Sequence, residues 1–208
     1  MSDEKLTISY PKKNELVFHE GFYAFGTKPK KECVVEGVLL SLFAPPIVGT
    51  RVEIPSEKGW AIHFGKLQKH AKYMLTVFDA AFPPHLHAPA AVTGIHGIPS
   101  AHEFVYDERR KKEGGLETAY VGIMFPSSSS SVCSFMSSGA SDEGVNAMKM
   151  VRDVDSAEFA GARSTAMPPY NFAFWFEGIP SHPSNTYKLK AFGNSGGSDM
   201  KTNLKVIC

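Results

Sequence analysis

Trp60-Ala61-Ile62-His63-Phe64 recurs further along the chain as Phe172-Ala173-Phe174-Trp175-Phe176. Each stretch is short, rich in aromatic and β-branched residues, and of a length that suits a strand rather than a helix. A second pair follows in the same order. Tyr73-Met74-Leu75-Thr76-Val77-Phe78 matches Tyr187-Lys188-Leu189-Lys190-Ala191-Phe192. An opening pair precedes both: Leu6-Thr7-Ile8-Ser9-Tyr10-Pro11 matches Val121-Gly122-Ile123-Met124-Phe125-Pro126. The three pairs stand at offsets of 115, 112 and 114 residues. Three landmarks in one order at nearly one offset point to two copies of one unit.

Alternation assigns faces to these strands. Tyr73, Leu75 and Val77 share one face. Tyr187, Leu189 and Ala191 share a face opposite Lys188 and Lys190, which suits a sheet with one wet side. Trp60, Ile62 and Phe64 form a core face, as do Phe172, Phe174 and Phe176. His63 and Trp175 then point the other way, with Trp175 either open to solvent or packed beneath the Met150–Pro169 stretch or against the other module. Phe78 and Phe192 are likewise out of phase with the core set. Helical periodicity is weak. Asp142 to Val151 is the best helix candidate and reads equally well as a strand or loop, while Asp153 to Arg163 suits a helical turn. Met150 to Pro169 looks like an insertion peculiar to the second copy.

A chain of 208 residues accommodates two sandwiches of about 100 residues each. The expected organisation is a module over 1–97, a linker or hairpin extension over 98–118, and a second, more divergent module over 119–208. The first module is expected to end in a strand near Ala91–Ile95, matching Asn203–Ile207. The expected fold class is all-β, with two tandem antiparallel β-sandwiches that resemble immunoglobulin-like modules.

The features that carry this resemblance are the aromatic-Pro strand ends, Tyr10-Pro11 and Phe125-Pro126, the W-x-I-x-F strand and the Y-x-L-x-V strand after a short turn. Together they resemble the bacterial immunoglobulin-like and fibronectin-type-III-like superfamily. In such modules the Tyr of the penultimate strand packs at a sheet corner. The resemblance implies non-enzymatic roles: adhesion, spacing, or binding of protein or carbohydrate. Cys33 precedes Trp60 with no partner cysteine after it, which departs from the antibody pattern.

Composition narrows the partners. A net charge of +1 argues against nucleic acid, and the basic run Arg109-Arg110-Lys111-Lys112 is flanked by Asp107, Glu108 and Glu113. No apolar run is long enough to span a membrane, and the acidic N-terminus lacks a signal-peptide core. The chain is expected to be cytoplasmic or part of an exported assembly. Its cysteines, Cys33, Cys133 and Cys208, have no metal or redox spacing.

No hydrolase elbow, phosphate loop or calcium loop is present, so an enzyme is not expected and no cofactor is called for. Three uses stay open. One is a binding or structural module with a protein partner. Another is a carbohydrate-binding accessory protein gripping a sugar with outward aromatics, Trp175 and Phe192. The third is a metal-dependent enzyme using His85, His87, His96 and His102, which fall within a short stretch but are followed by no carboxylate.

Overall fold

The structure is a computed structural model that describes residues 6–11, 15–17, 19–81, 100–106, 122–125, 132–139, 144–180, 185–193 and 196–205. The described residues form strands and turns, with no helix among them. The chain divides into two compact units, Met1–Arg110 and Lys111–Cys208.

The first unit contains β1 (Thr7–Tyr10), β2 (Glu15–Val17), β3 (Phe22–Thr27), β4 (Val35–Leu40), β5 (Ile47–Val48), β6 (Thr50–Val52), β7 (Gly59–Phe64), β8 (Lys72–Asp79) and β9 (Ser100–Tyr106). One sheet has the order β1-β3-β7-β6 and the other β2-β9-β8-β4-β5. Every pairing is antiparallel except β2 with β9, which is parallel.

The second unit contains β10 (Gly122–Phe125), β11 (Val132–Gly139), β12 (Val145–Arg152), β13 (Glu158–Ala160), β14 (Ala162–Arg163), β15 (Phe172–Pro180), β16 (Thr186–Gly193) and β17 (Gly196–Lys205). Its sheets are β10-β11-β15-β14 and β13-β12-β16-β17. With β2 set aside as an A′ strand beside β9, with β5 and β13 as C′, and with the other strands lettered in chain order, both units place A, B, E and D in one sheet and C, F and G with C′ in the other. This is the immunoglobulin-like arrangement.

The registers coincide as well. Gly26 pairs with Trp60, Phe25 with Ala61 and Ala24 with Ile62. In the second unit Gly139 pairs with Phe172, Ser138 with Ala173 and Ser137 with Phe174.

A shared glycine device carries the chain from one sheet to the other. Gly49 lies between β5 and β6, and Gly161 between β13 and β14. A Cβ on Gly49 would come within 2.2 Å of Ile62 and 2.7 Å of the Phe64 ring. One on Gly161 would meet Phe176 at 2.8 Å and Phe174 at 3.1 Å. The backbone N–H of Gly49 donates to the Gly37 carbonyl at 2.9 Å, and that of Gly161 to the Met148 carbonyl at 2.8 Å. Each crossing is therefore pinned to the C strand while it presses on two inward side chains of strand E, Ile62 and Phe64 in the first unit and Phe174 and Phe176 in the second. These contacts also put Ile62, Phe64, Phe174 and Phe176 on the face between the sheets, as alternation required.

Several expectations change. Within the stretch Asp142 to Val151, strand β12 begins at Val145, with Met148 and Met150 buried on either side of Lys149, while Asp142 and Glu143 lie outside the described residues. Asp153 to Arg163 is a turn followed by β13 and β14 rather than a helical turn. The Met150–Pro169 stretch is thus the C′–D passage, and β5 and β6 form its counterpart in the first unit. The expected linker, 98–118, contains β9, which closes the first unit beside β8, and the two units divide inside that span. Residues 91–95 lie outside the described residues.

Burial follows the period-2 pattern on β8 and β16, where Tyr73, Leu75, Val77, Tyr187, Leu189 and Ala191 are buried. It does not on β7 and β15. Every residue of Gly59–Phe64 and of Phe172–Phe176 is buried, so both faces of those strands are covered.

The corner tyrosine holds in both units. Tyr73 accepts a hydrogen bond from the backbone N–H of Gln68 at 2.9 Å. Tyr187 donates its hydroxyl proton to the Pro180 carbonyl and accepts from the Asn185 amide at 3.4 Å. A tyrosine at the start of strand F, bonded to backbone a few residues upstream, is a hallmark of this sandwich.

Candidate functional site

The site is built where β4 ends and β8 begins. After Leu40 the chain runs through Ser41-Leu42-Phe43-Ala44-Pro45-Pro46 before β5. The Phe43 N–H donates to Ser41 Oγ at 3.3 Å, a local turn that turns the backbone outward. Pro45 and Pro46 fix two φ angles and reduce the freedom of the loop. Leu42 is 93% exposed and Phe43 83% exposed. Side chains of this size left so open in a stiff loop leave apolar surface available for burial.

The opposite wall is the turn that leads into β8. The Tyr73 hydroxyl anchors it through Gln68, and the Ala71 N–H donates to the Gln68 carbonyl at 3.3 Å. His70 adopts φ 62°, a left-handed conformation that histidine tolerates better than most side chains. Lys69, His70 and Lys72 are exposed along this wall.

Between the two walls lies a groove of about 730 Å³. Leu40, Leu42, Phe43 and Met74 supply its apolar surface, and Lys69 and Lys72 line it beside His70. Among the described side chains no carboxylate and no cysteine line it. The arrangement can bury apolar groups and attract anions. Among the described residues it offers no acid–base pair.

The other titratable groups of the described residues are poorly placed for chemistry. Cys33 is buried, and burial, followed by its hydrogen bond to Asp79, pushes the thiol up to about 11. A thiol held protonated is a poor nucleophile. His63 stands opposite Tyr23 across β3 and β7, with ring centroids 5.0 Å apart. It is 5% exposed, its Nε2 has no hydrogen-bond partner among the described residues, and burial lowers it to about 4. It is neutral at physiological pH.

The residues singled out in the sequence do not converge. Trp175 lies on the face away from Phe174 and Phe176, as its register required, but it is 1% exposed and presents no ring to a sugar. Alternation reports which face a side chain takes and carries no information on what covers that face. Phe192 is half-buried on the wet face of β16, with Lys149 Nζ 5.8 Å from its ring centroid. Nearby, Lys149 pairs with Glu158 at 2.7 Å and Lys188 with Asp153 at 3.5 Å. His85, His87 and His96 lie outside the described residues, and His102 stands in β9 opposite Leu75. Among the described residues no cluster of three or more His, Cys, Asp or Glu could hold a metal ion. No helix there is long and apolar enough to cross a membrane.

The Leu42–Phe43 pair escaped the sequence reading. Its signal is present, because two large apolar residues stand in a Ser- and Pro-bounded connection between strands, where polar residues are usual.

Comparison with known proteins adds little beyond the fold. No family model matches the chain, and no curated protein does. Among solved structures it is similar to a crystal structure of a chicken TCR, which aligns over 98% of this chain and 100% of that one. The identity is 9% and the TM-score 0.31. At that score the fold assignment stands on strand order, shared register and the two corner tyrosines, which make the protein all-β with immunoglobulin-like sandwiches.

Proposed function

We propose that this chain is a non-catalytic immunoglobulin-like binding module, and that the groove between the Ser41–Pro46 loop and the Gln68–Lys72 turn is its contact surface for a protein partner. The exposure of Leu42 and Phe43, 93% and 83%, carries this reading. Large apolar side chains on a stiffened loop lower the ordering cost of association and gain burial when a partner covers them. The coincident registers of β3–β7 and β11–β15 support an origin by tandem duplication of one immunoglobulin-like unit. The sugar-gripping alternative loses its main aromatic with the burial of Trp175 and would rest on Phe192 alone.

Photo-crosslinking tests the reading. A photoreactive side chain replaces Phe43 in one variant of the full chain and Thr165, exposed in the second unit, in another. Irradiated in the cells that make the protein, the first is expected to yield a discrete protein adduct that the second does not. Equal backgrounds from both positions would remove the groove as the contact surface.

A further inference from the structure

The apolar surface at the groove reaches beyond Leu42 and Phe43. Pro45, Pro46 and Val48 follow in the same connection and are also exposed, Val48 at 79%. Five of the seven residues from Leu42 to Val48 thus turn apolar surface to solvent. Side chains of these sizes open about 500–600 Å² per copy, the upper end of the largest apolar patch on an ordinary monomer. Beside this ridge lies the groove of about 730 Å³, lined by Leu40 and Met74, which stand opposite each other in the β4–β8 pair. A small molecule in the groove would leave most of Leu42 and Phe43 in water. Small-ligand sites instead bury most of the ligand within their walls.

Ridge and groove share one rim and match each other in size and chemistry. A two-fold axis beside this rim lets each copy cover the other's groove with its own ridge, which is the self-complementary contact of a symmetric dimer. Covered on both copies, the ridges and groove walls amount to about 1,000–1,200 Å², the lower bound of specific interfaces and more than most chance contacts bury. On the reading of this groove as a contact surface, we propose that its partner is a second copy of this chain: Leu42 and Phe43 of each copy enter the groove of the other and lie against Leu40 and Met74 there.

Sedimentation equilibrium of the full chain tests the proposal. The chain is expected to dimerise reversibly with a Kd in the micromolar range, the strength of weak interfaces near this area. Phe43→Ser and Leu42→Ser should each raise that Kd about tenfold or more. Both side chains are exposed, so the melting temperature of dilute protein should stay near that of the parent and separate lost association from lost folding. A complementary pair of variants locates the contact. Phe43→Lys and Met74→Glu should each weaken self-association. Their equimolar mixture should form a heterodimer tighter than either homodimer, because the introduced ammonium and carboxylate meet across one contact and the parent Phe43 and Met74 across the other. A chain that stays monomeric to about millimolar concentration, a dimer untouched by both serine variants, or a mixture no tighter than its components would each overturn the proposal. Photo-crosslinking from position 43 separates this failure from failure of the reading beneath it. An adduct of twice the chain mass supports both. An adduct to a different protein, from a chain that is monomeric in the centrifuge, keeps the groove as a contact surface and rejects the second copy alone.

Discussion

The phenolic oxygen of Tyr73 accepts the backbone N–H of Gln68 at 2.9 Å, and this one bond joins the fold to the groove. Tyr73 is 1% exposed and belongs to the core, whereas Gln68 begins the turn that carries Lys69 and His70. The cationic wall is therefore positioned by a core side chain. Tyr187 makes the equivalent corner in the second unit by donating to Pro180.

Removing either hydroxyl leaves ring packing intact and deletes the corner bond. Tyr73→Phe and Tyr187→Phe are each expected to lower stability by about 1 kcal/mol, the usual net worth of such a hydrogen bond. Urea unfolding followed by tryptophan fluorescence measures it, with Trp60 reporting on the first unit and Trp175 on the second. Hydrogen exchange in Tyr73→Phe should rise first over Gln68–Lys72, and an unchanged exchange pattern there would separate the corner from the groove wall.

The glycine crossings lead to a sharper expectation. Gly49→Ala and Gly161→Ala force a methyl group against Ile62 and Phe64, or against Phe174 and Phe176. Overpacking of this kind costs about 1–3 kcal/mol and sometimes more. The shorter approach at Gly49, 2.2 Å against 2.8 Å, makes it the more damaging of the two. Gly65 has no heavy atom within 4 Å of a built Cβ, so Gly65→Ala should stay within a few tenths of a kcal/mol of the parent. Thermal melts of the three variants check the ranking.

His63 sets an acid limit. Its folded value is lowered to about 4 from the ordinary 6.5, so between those values the unfolded chain binds the proton more readily. Stability from this residue is full above pH 6.5, falls as pH drops toward about 4, and is flat below that. The interval corresponds to about 3 kcal/mol if the shift is taken whole. Equilibrium unfolding at steps between pH 7 and 4.5 is expected to show this loss in the parent chain. His63→Leu, which removes the proton-binding group, should show a much smaller loss over the same range, and a parallel slope in both proteins would assign it to other groups.

Much of this architecture was legible in the sequence, because alternation is a local property. Tyr73, Leu75 and Val77 read as an inward row and are one. Coverage is not local, and this is where the reading stopped. Trp175 and His63 occupy the face that register gives them, yet both are buried, because what covers them is set by chain distant in sequence. The closing strand β9 falls inside the span 98–118 that Pro99, Gly114, Gly115 and the basic run mark as a linker or hairpin extension, because such local breakers carry no information on pairing with β8. The groove was missed for a related reason. Its two walls are separated by about 25 residues of sequence, and only the pairing of β4 with β8 brings Leu40 opposite Met74.

The central claim is that partners meet this chain at the groove. Hydrogen exchange of the full chain, free and joined to the protein captured from position 43, tests it most directly. The account predicts slowed exchange over residues 40–46 and 66–74 together, with the Lys188–Gly193 stretch of β16 unchanged. Protection centred on Lys188–Gly193, with residues 40–46 exchanging as in the free chain, would contradict it.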